Sequence, residues 1–315
     1  MKESQFIKRN QAKWQEIWNS VHFGKSTPDK LADMYLDLTS DLAFAQTNYP
    51  DSHTTAYLND LAFRLHNRIY RKEPFTWKKL VRIWTHLLPR TMYECRKSLL
   101  FSFLAFMLFT IIGVFSQLTD ENYSRLVLGD EYVDQTLQNI ANGQPTHVYN
   151  DSPEVTSFVM ITYNNLMVDL RTFISGIFTC IGTLVFLFYN GIMLGSFQTF
   201  FFQNGYGWES VLAIWQHGAL EIPTCILSGA AGITLGNGWL FPGTHSRFEA
   251  FKQSAKKGLT MMLGIIPITI LAGFIEGFIT RHTELPDALR IAAIVVEFTF
   301  VVVYFVIYPL RFKHS

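Results

Sequence analysis

Long hydrophobic runs separated by short polar stretches dominate the chain after residue 97. A helix of about 20 apolar residues crosses the roughly 30 Å hydrocarbon core of a bilayer. The pattern therefore predicts an all-α, polytopic membrane helical bundle with about six membrane segments, one of them short or re-entrant. The predicted segments are 98–118, 172–190, 191–203, 209–236, 258–280 and 290–309, with a loop at 119–157.

The uncharged run from Thr172 to Trp208 is too long for a single perpendicular crossing. One straight helix of about 37 residues would extend about 55 Å. The pair Asn190-Gly191 near its middle favours a break. We therefore predict two passes, 172–190 and 191–203. A single long tilted helix that projects from the membrane is the alternative.

Residues 1–90 have a different pattern, in which apolar positions recur at helical spacing within otherwise polar sequence. They predict an N-terminal helical region in which a helical hairpin packs on a first helix. Residues 75–88 place Trp77 and Trp84 on one face and basic residues on the other, which indicates a helix in the membrane interface. A fourth helix of the N-terminal bundle is the alternative. We predict a boundary at residue 90, followed by a membrane domain over 91–315.

Charges next to the hydrophobic runs predict the orientation. Basic clusters lie at 90–97, 247–257 and 311–313, whereas acidic residues follow the first run. Because cytoplasmic loops carry an excess of Lys and Arg, both termini are expected in the cytoplasm and the 119–157 loop outside. Six crossings satisfy this rule, whereas five would place the second and third clusters outside.

Composition narrows the function classes. Hydrophobic residues make up 49% of the chain and charged residues 16%, and the net charge is +1. A basic run interleaved with aromatic residues would suggest nucleic-acid binding, and the sequence contains none. The three cysteines form no CxxC pattern. No nucleophile elbow, Walker loop or dinucleotide fingerprint is present. We therefore predict no enzyme activity, no cofactor and no nucleic-acid partner.

Several polar residues fall inside the predicted spans and are the functional candidates. An ionised carboxylate at that depth costs free energy unless it is paired or protonated, and such residues often line a path for a substrate or ion. His217 and Glu221 are four residues apart and share a helix face. Glu276 and Glu297 are predicted at similar depth on neighbouring helices, where they could face each other. Hydrogen bonding between helices is the alternative role. The candidates are His217, Glu221, Glu276, Glu297 and Asn190.

A metal site built on His217 and Glu221 would need further ligands, and the sequence predicts none. Small residues at four-residue spacing recur in the spans and predict close helix packing. These helix-packing glycines are Gly191, Gly195, Gly229, Gly232, Gly236, Gly273 and Gly277.

Four segments together resemble one family. They are Asn190-Gly191-Ile-Met-Leu-Gly195, His217-Gly218-Ala-Leu-Glu221-Ile-Pro, Ser228-Gly229-Ala-Ala-Gly232-Ile-Thr-Leu-Gly236 and Phe274-Ile-Glu276-Gly277-Phe. Over roughly residues 90–312 the chain resembles the stage II sporulation protein M family of bacterial membrane proteins. In spore formers the family's namesake acts with partners that remodel septal peptidoglycan during engulfment.

The resemblance implies a multi-pass protein of the bacterial inner membrane that serves as a scaffold or assembly component of an envelope complex. Its expected partners are membrane lipid and other envelope membrane proteins. Assembly into a homo-oligomer is also compatible with the sequence. The intramembrane carboxylates favour an alternative, a transporter, channel or flippase-like protein with a polar path. An intramembrane enzyme that uses His217 and Glu221 as an acid/base pair is the least favoured interpretation.

Overall fold

The computed structural model describes residues 1–23, 26–69, 76–142, 153–280 and 286–313. These residues form helices joined by short connections and contain no strand, which confirms the all-α class. Internal contacts divide the chain into two compact units, Met1–Thr76 and Trp77–Ser315.

The described residues of the first unit form three helices, α1 (Glu3–Phe23), α2 (Pro28–Asn48) and α3 (His53–Ile69). Their apolar stripes meet in one core, since such a face is stable only when another helix covers it. The Trp14 indole Nε1 donates to the Asp41 carboxylate at 2.8 Å and ties α1 to α2. The largest fully buried side chains of this core are Ile17, Leu38, Leu58, Leu61 and Leu65.

The two units separate after Thr76, whereas the sequence predicted a boundary at residue 90. The intervening stretch comprises α4 (Trp77–Arg82), a π-helical turn (Ile83–Leu87) and α5 (Leu88–Glu94). It belongs to the second unit because the hydroxyl of Tyr304 donates to the Trp84 carbonyl at 2.7 Å, and that of Tyr308 to the Thr85 carbonyl at 2.9 Å. The alternative of a four-helix N-terminal bundle is therefore wrong.

Among its described residues, the second unit contains five continuous segments that are long and apolar enough to cross a membrane. One of them, Glu154–Gln203, comprises two helices. Two short helices, α7 (Tyr123–Leu128) and α8 (Asp130–Ala141), occupy part of the predicted 119–157 loop, of which 143–152 lie outside the described residues. The long helices are α6 (Arg96–Thr119), α9 (Glu154–Ile174), α10 (Thr179–Gln203), α11 (Gly207–Leu240), α12 (Arg247–Phe274, continued by a π-helical turn at Ile275–Ile279) and α13 (Asp287–Val302, which continues with tighter and wider turns to Phe312).

The chain reverses at a 3-10 turn over Ser175–Phe178, and not at Asn190-Gly191. The hydroxyl of Thr183 donates to the carbonyl of Thr172 at 3.1 Å, although 11 residues separate them. In a continuous helix that separation would be about 16 Å. α9 and α10 therefore run back along each other. With 21 and 25 residues, neither helix is short. Both the predicted break and the single long helix are wrong.

Asn190-Gly191 continues the helix because a bilayer offers the backbone no water to bond with. The Asn190 side-chain amide donates to the Phe186 carbonyl at 2.8 Å, within α10 itself. Gly191 lies against α6, where an added Cβ would come within 2.8 Å of the Phe109 Cβ. The glycine thus permits close helix packing and does not break the helix.

The six long helices described in the second unit alternate in direction along the chain. Their termini therefore lie at two opposite ends of this unit. At the end that we call the Glu94 end, the Lys257 ammonium lies 2.9 Å from the Glu94 carboxylate, and Gly236 lies against the backbone of Thr179 and Cys180. At the Gln117 end, the Gln117 Nε2 lies 2.9 Å from Gln203 Oε1, and Gln198 donates to the Ser210 hydroxyl at 2.6 Å. α11 lies in the middle and is buried over most of its length.

Candidate functional site

A cavity of about 880 Å³ lies among α9, α10 and α11 in the half of the bundle toward the Gln117 end. Side chains of α7 and α8 at that end also line it, including Leu128 and Tyr132. Much of the wall is apolar, with Phe106, Met193 and Leu194. The polar groups that line it are Asn164, Asn165, Asp169, Asn190, His217, Glu221 and Glu276. None of the described lining residues is a Lys or an Arg.

Three of the predicted site residues meet in this cavity. One ligating atom each from His217, Glu221 and Glu276 lies within 4.8 Å of the others. The His217 Nε2 lies 3.8 Å from the Glu276 Oε1. Asn190, on α10, is the fourth predicted residue that lines the cavity. The polar groups thus converge on one space from three helices.

Local backbone features place these side chains. His217 and Glu221 project from one face of α11 because they are four residues apart. Pro223 follows two residues later and lacks the N–H that a helix would use to bond the Ala219 carbonyl. Glu276 belongs to the π-helical turn Ile275–Ile279, and such single wide turns are frequent at functional sites because they re-aim side chains.

Glu297 does not join the cluster. The sequence allowed Glu297 and Glu276 to face each other, but Glu276 lies beside His217, and Glu297 is absent from the described cavity wall. α13 packs beside α11 through Trp215 and Phe298, whose ring centroids are 5.4 Å apart, and this contact fixes which face of α13 is turned inward. The Oε2 atom of Glu297 is buried without a hydrogen-bond partner among the described residues.

Asp169 and Asn165 are site residues that the sequence analysis missed. Asp169 is 2% exposed and accepts hydrogen bonds from the Ser228 hydroxyl at 3.0 Å and the Thr269 hydroxyl at 2.7 Å. It was missed because the predicted span began at Thr172, which left it outside the membrane. A signal was present, because four polar residues recur at helical spacing along α9 and all are buried: Thr162, Asn165, Asp169 and Thr172.

Close packing of small residues closes the bundle beyond the cavity, toward the Glu94 end. A Cβ on Gly232 would lie 2.7 Å from the Thr172 carbonyl oxygen, and one on Gly229 would lie 2.8 Å from Leu187 Cδ2. Gly236 is held equally close to the turn before α10. The other predicted glycines lie against α6 (Gly191 and Gly195) or α9 (Gly273 and Gly277).

Comparison with known proteins bears on this membrane core. The family model of Stage II sporulation protein M matches residues 102–281, more than half of the chain. The chain belongs to the stage II sporulation protein M family. The match includes α9 to α12 and every polar group of the cavity, and it ends before Glu297. The cluster is therefore part of the family's membrane core.

The N-terminal unit has a separate match. Residues 4–71 match a domain of unknown function, DUF8413. No curated protein and no solved structure matches the chain. This member of the family thus combines the family's membrane core with a helical domain whose function is not known.

Proposed function

We propose that the protein binds a small polar solute of cationic character in the α9–α11 cavity and passes it across the bacterial cytoplasmic membrane. The observation that carries the proposal is the cavity wall, which holds three carboxylates and, among its described residues, no basic side chain. Its volume of about 880 Å³ lies within the usual range for small-molecule sites, which is about 300–1,000 Å³.

Electrostatics supports a cation as the solute. Carboxylates in a membrane core are expensive, and a low dielectric strengthens both their mutual repulsion and their attraction to a cation. Asp169, Glu221 and Glu276 form no ion pair with a Lys or an Arg among the described residues. A bound cation would supply the positive charge that the described part of the chain does not.

Passage requires that the packed half of the bundle opens. The cavity reaches inward to Asp169, whose carboxylate accepts hydrogen bonds from the Ser228 and Thr269 hydroxyls. Beyond Asp169, glycines of α11 pack closely against the neighbouring helices. The contacts across that half are close backbone approaches, and helices packed through small residues can slide on each other with little change in side chains. We propose that the α9–α10 hairpin moves against α11.

Cysteine accessibility tests this proposal. In a background with Cys95, Cys180 and Cys225 replaced by Ala, one cysteine is placed at Asn190, which lines the cavity. The matched control is Tyr189→Cys, one residue away at the same depth but 67% exposed on the outer face of α10. We expect a charged thiol reagent to modify Asn190→Cys from either side of sealed vesicles, and Tyr189→Cys from neither.

Two results would contradict the proposal. An Asn190→Cys protein that is inert from both sides would mean that water does not reach the cavity. Modification from one side only, under every condition, would leave a binding pocket without passage. Reaction of Tyr189→Cys at the same rate would show that the reagent does not discriminate the cavity from the lipid-facing surface.

The orientation is part of the proposal. Six alternating helices would put both chain ends in the cytoplasm if the basic Glu94 end faces inward, as the positive-inside rule favours. Single cysteines at Thr244, between α11 and α12, and at Glu121, after α6, probe the two ends. In intact spheroplasts an impermeant reagent should modify Glu121→Cys and spare Thr244→Cys. The opposite pattern would invert the bundle.

An envelope scaffold is the second candidate, and the N-terminal unit favours it. A groove of about 550 Å³ on this unit is lined by Tyr35, Leu42 and Phe63, and Phe63 is exposed. An exposed aromatic in a groove is typical of surfaces that bind protein partners. Deletion of residues 2–76 should then remove association with envelope proteins and leave modification of Asn190→Cys unchanged. Loss of both would show that the two units act as one.

A further inference from the structure

We infer that the cavity takes a quaternary ammonium compound, an organic cation whose nitrogen carries four carbon groups and no hydrogen. The inference rests on the proposed function, because it names the chemical class of the cationic solute. The cavity wall supports it, since aromatic rings lie at both ends of the space and the carboxylates of Glu221 and Glu276 lie between them. A cation of this class binds ring faces and negative charge together.

Two aromatic side chains line the outer part of the cavity, toward the Gln117 end. The ring centroids of Tyr132, on α8, and Phe197, on α10, lie 6.1 Å apart. Phe197 also packs with Phe200 and Phe201, one turn before α10 ends at Gln203. Both rings therefore border the path of a solute that enters from this end.

A third aromatic side chain lines the inner part of the cavity. Phe106, on α6, is 1% exposed and packs with Leu187, Cys225 and Ile226. Cys225 lies one turn beyond Glu221 on α11, so Phe106 is on the inner side of that carboxylate. A cation drawn to Glu221 therefore has aromatic side chains on its outer and its inner side.

The carboxylates supply negative charge, and two of them already have hydrogen-bond donors within the protein. Asp169 accepts from the hydroxyls of Ser228 and Thr269, and the side chain of Asn165 is hydrogen-bonded to Glu221. A primary ammonium would bring three further N–H donors, each of which needs an acceptor once water is removed. A quaternary ammonium donates no hydrogen bond, so an apolar, aromatic wall with a few carboxylates suits it better.

The size and lining of the cavity favour an organic over an inorganic cation. Oxygen ligands surround magnesium at about 2.0–2.1 Å and calcium at about 2.3–2.6 Å. Such an ion would occupy a small part of the cavity of about 880 Å³ and leave its aromatic rings without contact. Alkyl groups on the nitrogen fill more of that space and contact the rings directly.

Choline binding to the purified full chain tests the inference, with choline as a probe of the class. The protein is kept in a non-ionic detergent, and radiolabelled choline is bound at equilibrium and displaced by matched competitors. Tetramethylammonium and tert-butylammonium have the same atoms and the same charge, but only the second carries N–H groups. We expect tetramethylammonium to displace choline at concentrations about tenfold lower. The uncharged carbon isostere of choline should not displace it.

Variants at one ring separate ring binding from packing. Tyr132→Leu removes the ring and keeps an apolar side chain, so the affinity for choline should fall about tenfold. Tyr132→Phe keeps the ring face and should bind like the wild type. The matched control is Tyr163→Leu, on α9, whose ring is 66% exposed and is absent from the described cavity wall. Melting temperatures verify folding, and Phe197→Leu gives the same test at the opposite ring if Tyr132→Leu does not fold.

Protection of the engineered cysteine places the probe in the cavity. In the background without native cysteines, choline should slow the modification of Asn190→Cys by the charged thiol reagent. At the same concentration, tert-butylammonium should slow it much less. Modification of Asn190→Cys at an unchanged rate with choline bound would place the probe elsewhere and overturn the inference.

The inference is also overturned if choline does not bind, if tert-butylammonium displaces it as well as tetramethylammonium does, or if Tyr132→Leu and Tyr132→Phe bind it equally. In each case, modification of Asn190→Cys from both sides would still support passage of a cation of another class. Displacement by the uncharged isostere would instead remove the cationic character from the proposed function. Choline binding with Asn190→Cys inert from one side would leave a binding site without passage.

Discussion

The two halves of α11 differ in how closely they pack against the neighbouring helices. Up to about Cys225, His217 and Glu221 face a cavity shared with α9 and α10. Beyond it, Gly229, Gly232 and Gly236 lie so close to neighbouring helices that an added Cβ would come within 3 Å of their atoms. One helix therefore lines a cavity in one half of the bundle and packs closely against its neighbours in the other half.

The difference follows from what holds helices together in lipid. Lipid tails are as apolar as leucine, so helices associate through close packing and hydrogen bonds and not through burial of apolar surface. Small residues supply that packing beyond Cys225. The polar half can then hold carboxylates and open space, because the packed half secures the same helices. Asp169 marks the border, since it reaches from the cavity to hydroxyls of the packed half.

The largest effect is expected from one added methyl group in the packed half. In Gly232→Ala the new Cβ would lie 2.7 Å from the Thr172 carbonyl oxygen and also meet Thr183, so the α9–α10 hairpin must shift. Overpacking of this kind destabilises by about 1–3 kcal/mol. The matched control is Gly218→Ala, in the cavity half, where the nearest atom is Ile222 Cδ1 at 3.4 Å.

Fluorescence-detected size-exclusion chromatography after a temperature series gives both melting temperatures. Gly218→Ala should melt within a few degrees of the wild type, whereas Gly232→Ala should melt much lower or fail to fold. Equal melting temperatures would remove the distinction between the halves.

The next largest effect is expected at the border between them. Asp169→Ala leaves the hydroxyls of Ser228 and Thr269 without their carboxylate acceptor. Hydrogen bonds between membrane helices contribute about 0.6 kcal/mol each on average, so a loss of about 1 kcal/mol is expected. Asp169→Asn keeps one acceptor oxygen and should lose less. The same melting assay measures both, and a larger loss in Asp169→Asn than in Asp169→Ala would show that the carboxylate acts through its charge.

The smallest effect is expected at the Glu94 end. Partial burial pushes the pKa of Glu94 upward, but the hydrogen bonds and charges of Lys257 and Arg90 outweigh it, so the pKa lies below its ordinary value. A lowered folded-state pKa stabilises above the ordinary carboxylate pKa and ceases to do so as the pH falls through the folded value. The Glu94–Lys257 pair is partly exposed, so its contribution should be about 0–1 kcal/mol.

A double-mutant cycle with Glu94→Gln and Lys257→Met, followed by melting temperature, isolates this pair. The coupling should be present at neutral pH and vanish in acid. A coupling that persists when Glu94 is protonated would mean that packing, not charge, joins α5 to α12.

The sequence by itself determined the local features of the membrane core. The length of the apolar runs specified membrane helices, and the four-residue spacing of His217 and Glu221 placed them on one face. Both properties depend on the helical period alone, which repeats every 3.6 residues whatever the neighbours are. The same holds for the glycine spacing that permits close approach.

Only the tertiary structure decided which faces meet. In a bundle whose helices are apolar nearly all round, the sequence does not specify which side of α12 or α13 turns inward. Only the structure shows that Glu276 lies beside His217 and that Glu297 does not line the described cavity wall. The reversal at Ser175–Phe178 likewise depends on contacts between α9 and α10, because Asn190-Gly191 was the stronger local break signal. In water that pair would end a helix. In the membrane the backbone has no other hydrogen-bond partner, and α6 packs directly against the glycine.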